Sequence, residues 1–462
     1  MGERQGTAGV SESIGTSKAQ VDVGAVYAKI KWRILPFLML CYVVAFLDRT
    51  NVGVAKLGFA PDLGFDDATY GLGAGLFYLG YILLEVPSNL WLARVGVRKT
   101  LLRIMVVWGA CCAALAFMST PGEYFALRIL LGCAEAGLFP GILLYLTYWI
   151  PSARRASVTA LFMASIPISG VVGGPLAALI MRGLGNWHHL AGWRWLFIAE
   201  GVPAILLGIV AYFYLRERPA SASWLRPDEI RLVQADLELE RMTKRAARNV
   251  HGSLRAAMLD PQFIAIAALG FALMVSTAGC FLWLPSIIHR SGVASVSEVG
   301  LLSALPFGVG LVAQFMVAGH SDRSFERRWH AVIPAALGAI GWALLPLASG
   351  PFAALALLTL ATSGTLAAMG PYWTLPTLYL SEASVAGGIA LVTTIAGSGN
   401  FISPILVGEL SRATGSLASG QEYFAGVMLL GAALLLAATP KEKSGDSSAT
   451  DGSATSSARS HR

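Results

Sequence analysis

Apolar stretches of about 20 residues recur along the whole chain, the length a helix needs to cross the hydrocarbon of a bilayer. In lipid each unpaired backbone group costs several kcal/mol, so only helices and closed barrels can span it. The stretches are too long and too continuously apolar for barrel strands. Hydrophobic residues make up 55% of the chain and charged residues 13%, about half the charge of an ordinary soluble domain. The expected fold class is therefore an all-α polytopic membrane protein.

Spans are expected at about 33–57, 69–92, 100–119, 123–149, 156–181, 193–215, 262–286, 298–319, 330–349, 351–379, 384–408 and 422–439. Most of the 34 Lys and Arg then fall on one side, in clusters such as Arg94, Arg98, Lys99 and Arg103, or Arg323, Arg327 and Arg328. The positive-inside rule makes that side cytoplasmic and places both termini there. One connection is long, and it divides six spans from six. The expected parts are a disordered tail over 1–30, a first six-helix bundle over 31–216, a cytoplasmic linker over 217–261, a second bundle over 262–440 and a disordered tail over 441–462. Two such halves with a site between them is a common transporter plan.

Other classes fit poorly. The net charge of +7 is accounted for by topology rather than by a basic face for nucleic acid. Cys41, Cys111, Cys112, Cys133 and Cys280 lie inside apolar runs without metal-site spacing, and the seven histidines show none either, so no metal or other cofactor is expected. The first 30 residues hold no apolar core of a cleavable signal. An enzyme needs a nucleophile, metal ligands or an acidic pair near an interface, and a sensor needs a sizeable output domain; the sequence offers neither.

A charge near the bilayer centre is costly, about 3 kcal/mol or more, which makes each one a functional candidate. Span 1 contains Asp48-Arg49-Thr50-Asn51, and span 4 contains Arg128 and Glu135. Counted from the outer span ends, Arg128 lies about 8 Å deep, Asp48 about 14 Å and Glu135 about 18 Å, so the four charges are expected at one level. Arg128 and Glu135 share a helix face two turns apart, able to bracket a ligand or to serve as an interhelical ion pair. Two acids and two arginines sum to zero; one proton leaves a net +1, suited to an anion, which the Arg fork can grip bidentately. Glu85 and Glu200 are read as structural. Tyr81, Trp283, Tyr372 and Trp373 can line a cavity or fill helix contacts.

Several longer motifs are distinctive together: Leu47-Asp48-Arg49-Thr50-Asn51, Phe139-Pro140-Gly141 after Glu135, Gly192-Trp193-Arg194-Trp195-Leu196-Phe197-Ile198-Ala199-Glu200-Gly201, Phe281-Leu282-Trp283-Leu284-Pro285, His320-Ser321-Asp322-Arg323 and Gly370-Pro371-Tyr372-Trp373-Thr374-Leu375-Pro376-Thr377. With them, residues 30 to 440 or so resemble the anion:cation symporter family of the major facilitator superfamily. The resemblance implies proton-driven uptake of a small organic anion, such as a sugar acid, a tartrate-like hydroxy acid or an aromatic acid, by a monomer in a bacterial inner membrane. It implies that Asp48 and Glu135 carry the coupling protons and that Arg49 and Arg128 bind the anion, with Tyr81 and Trp373 lining the cavity. Arg94, Arg98, Asp322 and Arg323 are then the gating residues. Two departures stand out: Ala93 replaces the usual Asp of the loop after span 2, and Thr393 replaces the Asn of many relatives, leaving Thr393 as a polar candidate for the substrate. An anion exchanger is the alternative within transport.

Overall fold

The computed structural model describes residues 22–246, 260–379 and 385–438, and every regular element among them is helical. Six spans form the first half: span 1 (Val23–Leu63), span 2 (Asp67–Val95), span 3 (Val97–Leu115), span 4 (Pro121–Thr147), span 5 (Ser152–Gly183) and span 6 (Gly192–Tyr214). Six form the second: span 7 (Pro261–Arg290), span 8 (Val296–Ser324), span 9 (Arg328–Leu347), span 10 (Pro351–Tyr372), span 11 (Val385–Thr414) and span 12 (Ala418–Ala438). Among the described residues eleven of these helices are long and apolar enough to cross a membrane. Span 3 completes the twelve. Its first turns hold Arg98, Lys99 and Arg103, which dilute its apolar character, and it packs lengthwise on span 6.

Boundaries differ from the expected ones where local chemistry decides them. Span 1 starts at Val23 because Asp22 caps it, accepting from the Gly24 and Ala25 amides at 2.8 and 3.2 Å. Residues 23–30 are thus helical and not part of a tail. Span 4 is broken directly after Glu135: Ala136 turns extended, and Gly137 takes φ 87°, a left-handed conformation that suits glycine. Span 7 contains a π-helical turn over Gly279–Trp283, just before Pro285, which has no amide hydrogen to give. Span 10 ends at Tyr372, and a short helix, Leu375–Tyr379, follows. The expected tails, apart from residues 22–30, lie outside the described residues, as do 247–259 of the linker and 380–384.

The linker holds a helix, Pro227–Ala246, laid against the first half. Lys29 meets Glu229 at 2.8 Å, the Tyr27 hydroxyl donates to Asp236 at 2.8 Å, and Arg155 meets Glu240 at 3.4 Å. Within the halves span 2 packs on span 4, span 7 on spans 11 and 12, and span 10 on spans 8 and 9. The halves join through span 2 on span 11, span 5 on span 8, and span 1 on span 7.

The contacts that join them gather at the end away from the linker helix. There a Cβ on Gly174 would lie 2.4 Å from the Gly300 carbonyl oxygen, so spans 5 and 8 meet only because both residues lack one. Tyr70 donates to the Leu282 carbonyl at 3.0 Å, an acceptor within the π turn. Asp67 of the first half accepts from Arg290 at 2.6 Å and from the Ser411 hydroxyl at 2.5 Å, both in the second half, and from Lys56 at 2.7 Å. These residues border a cavity of about 740 Å³ that also meets His289 and Arg412.

Candidate functional site

Asp48 and Arg49 are consecutive in span 1, so their side chains leave the helix about 100° apart. The structure sends them to different neighbours. Arg49 reaches span 4, where its Nη2 donates to Glu135 Oε1 at 2.5 Å. Its guanidinium also lies 4.7 Å from the Phe46 ring, 5.3 Å from Phe77, 6.0 Å from Tyr78 and 5.3 Å from Tyr81. Such cation–π contacts hold a guanidinium in place without neutralising it. The Glu135 side chain is fully buried, whereas that of Arg49 keeps 14% of its surface accessible. Arg49 Nε and Glu135 Oε2 have no hydrogen-bond partner among the described residues. The pair is therefore bonded once, with Arg49 Nε and Glu135 Oε2 to spare.

Arg128 does not bond Glu135, although the two share a helix. Its Nε donates to the Gly73 carbonyl at 3.4 Å, and its guanidinium lies 4.8 Å from the Phe77 ring. Phe77 is thus covered by both arginines, which puts them in one charged group without direct contact. Asp48 turns the other way, into spans 3 and 6. It accepts from Trp108 Nε1 at 3.0 Å and from the Cys112 thiol at 3.2 Å. Next to it, Asn51 Nδ2 donates to Glu200 Oε1.

Tyr81 joins the Arg49 group directly. Trp373 stands in the second half, edge-on to Tyr372 at 4.9 Å, and is not among the rings that cover Arg49. Thr393 is exposed and donates to the Ile389 carbonyl of its own helix at 3.0 Å. The four gating candidates sit at the linker end. Arg94 and Arg323 are exposed. Arg98 donates to the Tyr212 carbonyl at 2.6 Å, and its backbone amide to Glu217 at 3.1 Å, which ties span 3 to the end of span 6. Asp322 pairs with Arg327 at 2.6 Å. These bonds run within each half.

Sequence reasoning passes over Phe77 and Trp108, ordinary helix fillers by composition, and names Cys112 and Asn51 without giving either a partner. It reads Glu200 as structural; a wholly apolar run around an acid is the available signal. Lys56, which the sequence places at the outer end of span 1, is buried, 4.2 Å from the Trp283 ring.

Comparison with known proteins agrees with this architecture. Residues 38–404 match the Major Facilitator Superfamily. A protein of Agrobacterium vitis named for tartrate transport is 42% identical over 422 residues, covering 91% of this chain and 96% of that protein. NicT of Pseudomonas putida, named for metabolite transport, is 38% identical over 429 residues, covering 92% and 98%. Among solved structures, the D-xylose-proton symporter superposes with a TM-score of 0.70 at 16% identity, covering 88% of this chain and 98% of that one. With a family match over most of its length, relatives named as transporters and a twelve-helix bundle in two halves, the chain is a multi-pass membrane transporter and belongs to the Major Facilitator Superfamily.

Proposed function

We propose that this protein is a proton-coupled symporter that takes a small carboxylate into the cell by alternating access. One observation carries the reading: Glu135, fully buried, holds the partly accessible Arg49 by a single bond at 2.5 Å and leaves a donor of that arginine unused. A protonated Glu135 no longer competes for the guanidinium. A substrate carboxylate then takes its place on Arg49, with the Arg fork gripping two oxygens. Loss of the proton restores the ion pair and expels the anion. Arg128 adds positive potential behind Phe77, while Tyr81 offers a ring and a hydroxyl to the rest of the substrate.

The relative named for tartrate transport supports an organic anion as cargo. The basic loops orient the linker end toward the cytoplasm, so the closed end with Asp67 and Arg290 faces outward. In a bacterial inner membrane the proton gradient then drives uptake. One chain contains both halves and the whole charged group, so the working unit is a monomer, and protons are its only coupling ion. A panel of radiolabelled carboxylates, tartrate and aromatic acids included, tested for uptake into proteoliposomes with and without an imposed pH gradient, decides the reading. Acid-driven accumulation of at least one supports it; uptake indifferent to the gradient for every acid transported rejects symport in favour of exchange.

A further inference from the structure

On the face of span 1 turned from Arg49, a pair of acids is closed inside the first half. A carboxylate oxygen of Asp48, one of Glu200 and the Cys112 sulfur all lie within 4.8 Å of one another. Asp48 is 1% exposed, Glu200 5%, and Asn51 is fully buried. Asp48 accepts from Trp108 Nε1 and from the Cys112 thiol, whose single hydrogen also faces the Phe197 carbonyl at 3.4 Å, and Glu200 Oε1 accepts from Asn51. Glu200 Oε2 and Asn51 Oδ1 have no partner among the described residues. The surrounding charged and titratable groups are Arg49 on span 1, Cys111 and Cys112 on span 3, and Arg128 and Glu135 on span 4. Their positive members are engaged elsewhere, Arg49 with Glu135 and Arg128 with the Gly73 carbonyl.

Two carboxylates this close, in a dry interior and without a bonded cation, repel each other strongly if both are ionised. A proton on one relieves that repulsion and supplies the missing donor: an O–H that an oxygen of the other carboxylate, or Asn51 Oδ1, accepts. We propose that Asp48 and Glu200 hold one proton between them, making Glu200 a coupling residue alongside Asp48. Loss of that proton leaves two buried anions, so release is favourable only when span 1 shifts and admits water or a cation to the pair. Asp48 precedes Arg49 in the same helix, so the movement that frees Arg49 for substrate also strains the shared proton. This last step rests on the symport reading above; the shared proton itself does not.

The experiment uses the purified full chain in proteoliposomes and has two arms. In the first, infrared spectra recorded without substrate at neutral pH are expected to show the C=O band of a protonated carboxyl. The band disappears in Asp48→Asn and in Glu200→Gln, survives in Glu135→Gln and returns in Glu200→Asp, with thermal unfolding checking that each variant is folded. Absence of the band in the folded wild type, or its persistence in both Asp48→Asn and Glu200→Gln, overturns the shared proton whatever the transport mode. In the second arm, Glu200→Gln is expected to keep substrate counterflow and lose acid-driven accumulation. Accumulation that stays pH-driven in Glu200→Gln removes Glu200 from coupling. Accumulation in the wild type driven by a sodium gradient at equal pH, together with absence of the carboxyl band, assigns the pair to a cation and rejects the proton. A band that behaves as expected in a wild type lacking pH-driven transport defeats the symport reading and leaves the shared proton standing.

Discussion

Arg49 on span 1 and Glu135 on span 4 meet at 2.5 Å, at the point where span 4 unwinds. Because Ala136 and Gly137 leave the helix directly after Glu135, the carboxylate sits at a helix end with local freedom that a continuous helix denies. In the proposed cycle this bond is made and broken, and the break in span 4 lies directly beside it.

The first prediction concerns the guanidinium. Arg49→Lys keeps the charge but loses the planar fork and the fit among Phe46, Phe77 and Tyr81. Bonds to charged groups contribute about 1.5–3 kcal/mol, so substrate affinity is expected to fall roughly 10- to 100-fold. Substrate-dependent thermal shift, read against the wild type, measures it; an affinity within twofold of the wild type contradicts the role given to Arg49.

The closed end supplies the second. Asp67 is the joint acceptor for Arg290 and Ser411 of the opposite half, so Asp67→Asn weakens the contact that holds this end shut. A loss of about 1 kcal/mol shifts the ratio of open to closed states roughly fivefold. Ser286, buried beside the cavity, reports it when replaced by Cys: labelling by a membrane-impermeant maleimide should quicken in Asp67→Asn. Equal labelling rates place the latch elsewhere.

A third follows from the linker helix. The Lys29 ammonium, hydrogen-bonded at 2.8 Å, and the Arg226 amide hold the Glu229 carboxyl below the usual carboxylate range. A carboxyl with a depressed folded value stabilises docking at pH above its unfolded value, and that contribution is lost as pH falls through the folded value. Amide protection factors over the helix Pro227–Ala246, taken relative to intrinsic exchange at each pH, should therefore fall in acid, and Glu229→Gln should show the lower protection already at neutral pH. Exchange unchanged in that variant shows that Lys29 and Glu229 do not fasten the helix.

The twelve spans were legible because lipid imposes a length and a composition that each helix must meet by itself, and only span 3, with Arg98, Lys99 and Arg103, blurs that signal. Interruptions were not: Gly137 is one glycine among 50, and nothing local separates it from those that merely allow packing. Asp48, Arg49, Arg128 and Glu135 were legible as charges too deep in apolar runs. Their pairing was not, since a shared face of span 4 suggested Arg128 for Glu135 while the neighbouring helix delivered Arg49. The closeness of Glu200 to Asp48 and Asn51 was not legible either, because those two come from a helix about 150 residues away, a proximity that only the packing of spans 1, 3 and 6 creates.

The central claim is that the Glu135 proton controls whether Arg49 is free for an anion, and Glu135→Gln tests it most directly. In proteoliposomes loaded with unlabelled substrate, the variant is expected to retain counterflow while losing accumulation driven by an acid exterior, because the neutral amide leaves Arg49 permanently available and carries no titrating proton. Acid-driven accumulation at the wild-type level in Glu135→Gln would contradict the account.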